Sequence, residues 1–186
     1  MKSDIFATEL SYIKDEKLRE MVREYFDTAC PEYFFSVPAS STGKFHPAIS
    51  QGEGGLVRHT KMAVRIAHDM LELEMWSGLQ GLKDEIITAL LIHDTCKLGD
   101  YTQEKYTRHD HPILASNRWR EFCRLYDTNS IITDAIAGMV SSHMGQWNTN
   151  THSDVELPKP KLPSEKFVHL CDWIASRNYM GKLEDM

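Results

Sequence analysis

The sequence predicts an all-α fold. Apolar residues recur at helical spacing in one segment after another, no stretch makes a persuasive strand, and prolines and glycines gather between the periodic segments. With 186 residues, 41% of them hydrophobic and 26% charged, the chain fits one globular domain, residues 1–186, long enough to bury a substantial core. It shows no internal repeat, low-complexity segment or domain boundary.

Asp4 to Asp27 carries Phe6, Leu10, Ile13, Leu18, Met21, Val22, Tyr25 and Phe26 on an approximate helical stripe with a charged outer face. Residues 1–28 are therefore expected as one or two helices covering the core. Cys30 to Gly55 contains Pro31, Pro38, Pro47 and four glycines, a composition that breaks helices and predicts an ordered loop. His46 sits within it, beside Phe45 and Pro47. From Leu56 to about Trp76 a helix is expected, with His59, Met62, Ala63, Ile66, Met70 and Leu73 along one face. Arg58, Lys61, Arg65, Asp69 and Glu72 take its flanks or outer side, and His68 falls among these polar positions as a surface residue.

After Gly78 and Gly81, Asp84 is the expected N-cap of a helix running to Lys97, with Gly99 as its stop. Ile86, Ile87, Ala89, Leu90, Leu91 and Ile92 leave this helix almost no polar face, so packing should surround it. Tyr101 to Asp110 is polar and predicts a loop. His111-Pro112 then opens a helix facing inward through Ala115, Trp119, Phe122 and Tyr126, since proline suits the first helical position. Ser130 to Met144 repeats the pattern with Ile132, Ile136, Met139, Val140 and His143 on one face and Gly145 as a stop. Residues 146–163 form a long proline-bearing loop, and Ser164 is expected to cap a last helix bearing Val168, Cys171, Asp172, Ala175 and Tyr179 on one side.

A net charge of -6 argues against broad binding to phosphate backbones or membrane surfaces, and leaves room for a small anionic substrate held by a few placed cations. Cys30, Cys96, Cys123 and Cys171 form no C-x-x-C pair, which excludes a zinc ribbon and predicts free thiols in a reducing cytoplasm. The first residues carry acids and no apolar h-region, and no later run approaches membrane-spanning length, so a cytoplasmic location is expected.

The central helix ends in polar groups that its surroundings should not tolerate. His93, Asp94 and Lys97 follow its apolar run, and burying them costs several kcal/mol unless each is paired or bound to a metal. Lys97 lies four residues after His93 and three after Asp94, offsets that share a helix face. Singly, an inward histidine is more often a satisfied core residue than a ligand, and a lone Asp172 can cap or pair with an arginine. Together, His59, His93, Asp94, His111, His143 and Asp172 come from five segments and present imidazoles and carboxylates, a donor set suited to Mn, Fe, Zn or, less readily, Mg.

This ordered set, H…HD…H…H…D, resembles the HD-domain superfamily of metal-dependent phosphohydrolases across most of the chain. Two stretches, PASSTGKFHPAISQGEGGLVRHT and HDTCK, resemble the HD domain of bacterial 3′–5′ exoribonucleases of the YhaM type. The resemblance implies a single-domain HD helical bundle and two divalent transition metals, Mn or Fe first, with Mg, Zn, Co and Ni as further candidates. It implies that His59, His93, Asp94 and Asp172 hold one metal, and that Asp94 bridges to a second held by His111 and His143. Asp94 and Lys97 would be catalytic, with a metal-bridged hydroxide attacking the phosphorus and Lys97 stabilising phosphate charge. His46, Arg58, Lys105, Arg108 and Trp147 are candidate substrate contacts; for the exposed basic residues solvation is the bland alternative.

Two departures from those exoribonucleases stand out. They carry an OB domain before the HD domain, and Met1 to Phe35 offers nothing that could form one, so the expected substrate is a nucleotide or short oligonucleotide, with no membrane and no long nucleic acid as partner. Homo-oligomerisation stays open. Cys96 stands where family members often have glycine, as a small packing residue. Similar helical scaffolds also host mixed-valence di-iron oxygenases, a rival class, and a metal-stabilised partner-binding protein is a third.

Overall fold

The apolar stripe of the N-terminal segment is divided among short helical pieces. Lys2–Phe6 is a 3-10 turn that runs into α1 (Ala7–Leu10), α2 spans Glu16–Glu24, and Tyr25–Ala29 widens into a π turn. Asp15 caps α2, its carboxylate accepting the Leu18 N–H at 2.9 Å. All eight stripe residues from Phe6 to Phe26 are buried. Phe26 stacks on Phe6 and Phe34 at centroid distances of 4.7 and 5.9 Å, while Tyr25 meets Trp119 edge-on at 5.8 Å. These aromatic pairs fasten the N-terminal pieces to the helices that follow. The computed structural model describes residues 1–43, 46–100, 103–126 and 128–178, so the expectations for Phe45, Tyr101 and Tyr179 lie outside it.

The segment between Cys30 and Gly55 is an ordered loop with 3-10 turns at Glu32–Phe35 and Ala48–Ser50. Backbone bonds lace it to the next helix: Gly54 N–H to Ser36 C=O at 2.9 Å, and Leu56 N–H to Val37 C=O at 3.0 Å. A Cβ on Gly55 would lie 2.2 Å from the Ser50 carbonyl oxygen, so only glycine lets the loop come this close. Helix α3 (Gly55–Leu71) follows. It ends short of the expected Trp76, because Leu73 turns to extended backbone before a 3-10 segment, Glu74–Leu82. Beyond that break the helical period no longer applies, and Leu73, expected inward, is 51% exposed.

Helix α4 (Lys83–Ile92) is the centre, packing on α3, α6 and α7, with α5 against α6. Here α5 is His111–Cys123, α6 is Ser130–Ser142 and α7 is Pro163–Ala175. Every residue from Ile86 to Gly99 is buried, as the apolar run requires. Asp84 does not cap α4. The 3-10 segment feeds the helix directly, with Leu82 at the cap position, and the Asp84 carboxylate instead accepts the backbone N–H groups of Lys14 (2.9 Å) and Asp15 (2.7 Å). Nor does the helix reach Lys97. It stops at Ile92, and residues 93–98 continue as tight turns, with N–H to C=O bonds from Thr95 to Ile92 and Lys97 to Asp94, until Gly99 at φ +118°.

Ser164 is likewise not a cap. Pro163 occupies the first helical position, and the Glu165 carboxylate reaches back to the N–H groups of Lys161 (2.6 Å) and Leu162 (3.0 Å). The fold is all-α: among the described residues there is no strand, only one isolated bridge between Asn150 and Ser153. No helix among them is long and apolar enough to cross a membrane. All four cysteines are buried free thiols.

Asp84 thus ties the entry of α2 to the central helix. Asp84→Ala should lower unfolding free energy by about 1–2 kcal/mol, the scale of a lost cap, read as a shift in the denaturation midpoint with unchanged m-value. An unchanged midpoint would make the contact incidental.

Candidate metal centre

Three helices and the turns that follow two others deliver the site. His59 stands in the second turn of α3, His93 and Asp94 just past α4, His111 opens α5, His143 follows α6 and Asp172 lies in α7. Their donor atoms form two trios, His59–His93–Asp172 and Asp94–His111–His143, each with its atoms within 4.8 Å of one another. All four histidines and Asp94 are buried, and the Asp172 side chain is 18% exposed.

Asp94 joins the trios. Its Oδ2 lies 3.6 Å from His59 Nε2 and 3.5 Å from His93 Nε2; its Oδ1 lies 3.1 Å from His111 Nε2 and 3.6 Å from His143 Nε2. One carboxylate therefore offers one oxygen to each set of imidazoles. Asp172 Oδ1 completes the first trio, 2.9 Å from His59 Nε2 and 3.5 Å from His93 Nε2. Lys97 Nζ pairs with Asp94 Oδ2.

Three ring orientations are fixed by the backbone. Nδ1 of His93, His111 and His143 lies 2.6, 2.6 and 2.7 Å from the carbonyls of Leu90, Arg108 and Val140. A carbonyl can only accept, so each Nδ1 carries a proton and each ring, when neutral, turns a bare Nε2 inward. The Nε2 atoms of His111 and His143 face each other at 3.2 Å, and with both rings neutral there is no hydrogen to share between them. His93 Nε2 and Asp94 Oδ1 are buried without a hydrogen-bond partner. Converging lone pairs of this kind repel unless a cation lies among them, so the residues fit a metal at each trio.

The electrostatics agree. Burial would raise the Asp94 carboxyl, but Lys97, His93 and His111 hold it well below the usual carboxylate range. Burial likewise opposes ionisation of Asp172, and the His59 and His93 contacts overcome it. Burial also lowers His93, yet Asp94 and Asp172 bring its net shift upward, a sign that positive charge is favoured at that nitrogen. His143 is pushed down to about 3 by burial and by its histidine neighbours, which leaves it neutral and able to donate a lone pair.

The candidate substrate contacts divide. His46 comes to the site, its ring edge-on to His59 at 4.7 Å, and burial with nearby Lys97 pushes it down to about 3. Arg58 points away, donating to the Ile49 and Gln51 carbonyls of the preceding loop. Arg108 is held by Asp110 at 2.8 and 2.7 Å. Lys105 is exposed over the Tyr106 ring, and Trp147 is exposed in the loop after α6.

Sequence spacing gave no signal for the residues that brace the 93–100 turns. Thr95 donates to the Ile92 carbonyl, so Tyr25 donates its hydroxyl to Thr95 Oγ1 at 2.9 Å. Tyr33 donates to the Gly99 carbonyl and accepts the Leu98 N–H at 3.1 Å. Arg118 binds Asp100 and the Ala29 carbonyl. Arg118 and Asp100 are 18 residues apart, and the contacts of Tyr25, Tyr33 and Ala29 span 65 to 89 residues, beyond the reach of any periodic pattern.

A family model described as HD domain matches residues 56–177, about two thirds of the chain, and the chain belongs to that family. No curated protein and no solved structure matches the chain. The HD-domain family is one of metal-dependent hydrolases, and its all-α fold and His/Asp metal-binding clusters are both present here.

Tyr25 and Tyr33 precede the matched residues, so the tyrosine part of the brace comes from outside the family match. Tyr33→Phe would leave the Leu98 N–H and Gly99 C=O without their side-chain partner, at a cost of about 1–3 kcal/mol. Thermal melts should show that loss, and Mn titration should show weaker binding. Unchanged melting and unchanged affinity would contradict the brace.

Proposed function

We propose that the chain is a dinuclear metal-dependent phosphohydrolase acting on a nucleotide or short-oligonucleotide phosphoester. His59, His93 and Asp172 would hold one metal, His111 and His143 the other, with one Asp94 oxygen on each. The observation that carries this reading is the division of the Asp94 carboxylate between the two trios. Two divalent metals, when bound, supply an activated water and polarise a phosphoryl oxygen.

The chain's own residues prepare for that chemistry. The carbonyls of Leu90, Arg108 and Val140 fix three rings before any ligand arrives, so no reorganisation is needed at the moment of reaction. Lys97, anchored beside Asp94 and only 9% exposed, is a cation able to turn to a phosphate oxygen. A covalent route through a thiol is disfavoured: burial pushes Cys96, two residues after Asp94, up to about 12, with Asp100 adding to the shift, and burial also raises Cys171 beside Asp172. Nitrogen and oxygen donors without thiolate favour Mn or Fe among the candidate metals. With Arg58 and Arg108 committed to other partners and a net charge of -6, the chain offers little to hold a long polyanion.

The Mn-loaded protein should release product from mononucleotides and dinucleotides faster than from long single-stranded RNA at one ionic strength. Processive RNA degradation, or oxygen consumption by the iron-loaded protein without phosphoester cleavage, would overturn the reading. Lys97→Met should keep its Mn content and lose on the order of 10²-fold in kcat, as for removal of one donor to a developing anion. Turnover equal to the parent would confine Lys97 to neutralising Asp94.

A further inference from the structure

Trp147 is 43% exposed, yet its position is fixed by contacts that do not depend on its own side chain. Its N–H donates to the Met144 carbonyl at 3.1 Å. On one side Gly145 takes φ +60°, and a Cβ there would lie 2.3 Å from the His169 ring, which fills the space that glycine leaves. His169 Nδ1–H donates to the His143 carbonyl at 2.7 Å. On the other side Asn148 is buried, its carbonyl accepting from His109 Nε2 at 3.2 Å and from the Leu157 N–H at 2.8 Å.

These anchors are close in sequence to residues of the two trios. His109 lies two residues before His111, His169 lies three before Asp172 on α7, and His143 is itself a donor. Trp147 is four residues from His143, a span of at most about 14 Å of extended chain, which puts the indole within reach of a nucleotide whose phosphate lies at the trio that His143 joins. The His169 ring approaches it at a centroid distance of 5.8 Å and 59°, and much of the remaining ring is open to solvent.

We propose that Trp147 is a stacking platform for the base of a nucleotide whose phosphate lies at the metal trios. This deepens the phosphohydrolase reading and rests on it. Every base presents a π-face, so a lone indole selects for the presence of a base without selecting which one, and no hydrogen-bonding reader is required. His169 is the positioning residue: it braces the turn from which the indole projects.

The test uses Mn-loaded protein with two unreactive probes, a nucleoside 5′-phosphonate and the matching ribose 5-phosphonate without a base, titrated against tryptophan fluorescence and by calorimetry. The parent should bind the nucleoside probe tighter and show quenching, and comparison with Trp147→Phe assigns the quenched signal. In Trp147→Ala, checked by its melting curve, the ratio of the two dissociation constants should fall about tenfold, within the range for loss of one base-stacking aromatic. Trp147→Phe should restore part of the ratio. Equal affinity of the parent for both probes, or an unchanged ratio in the folded Ala variant, overturns the proposal. Base preference without phosphoester cleavage would sink the phosphohydrolase reading and leave the platform standing; cleavage without base preference would do the reverse.

Discussion

The Asp94 carboxylate is buried on both oxygens, and the rest of the structure answers to the charge this puts inside the protein. An isolated carboxylate in such surroundings costs several kcal/mol or gives up its ionisation. Lys97 compensates one oxygen, and the other faces the Nε2 atoms of His111 and His143. With Asp172 counted, two carboxylates face one ammonium, and the upward shift of His93 shows that the remaining negative charge draws a positive partner in a place where charge is expensive. That imbalance selects for bound cations, and the fold supplies rigid walls around it.

The walls are helix ends. The last turn of a helix leaves carbonyls without intrahelical partners, and α4 and α6 use theirs, Leu90 and Val140, to hold the Nδ1–H of His93 and His143. The same geometry recurs at the entry to α5, where the Arg108 carbonyl holds His111 while the Arg108 N–H bonds the Lys97 carbonyl at 2.9 Å. Orienting the ligands and completing the helices are thus one set of hydrogen bonds. The N-terminal segment adds a second layer, since Tyr25 and Tyr33 hold the turns that carry Asp94 and Lys97 against the aromatic cluster.

Much of this was legible in the chain because it depends on periodicity. The stripes of α3, α5 and α6 turned His59, Trp119 and Val140 inward, and the polar groups at the end of an unbroken apolar run marked His93 and Asp94 as exceptional. What failed was local competition at helix ends. Asp84 and Ser164 have good capping chemistry, yet Leu82 and Leu162 hold the cap positions, and Leu73 went to solvent where its own backbone turned extended. Lys97 reaches Asp94 through a tight turn and not along a helix face, an outcome that three-residue spacing alone cannot distinguish. The bonds of Arg58 to carbonyls and of Arg108 to Asp110 were equally hidden, because sequence shows charge but not the groups that it meets.

The division of the Asp94 carboxylate between two metals is the claim on which the functional account rests, and anomalous diffraction from Mn-loaded crystals tests it most directly. The account predicts two Mn peaks roughly 3.5–4 Å apart, the spacing of dinuclear hydrolytic sites, one beside Oδ2 with His59, His93 and Asp172, the other beside Oδ1 with His111 and His143. A single peak at saturating Mn, or two peaks that Asp94 does not separate, would contradict it.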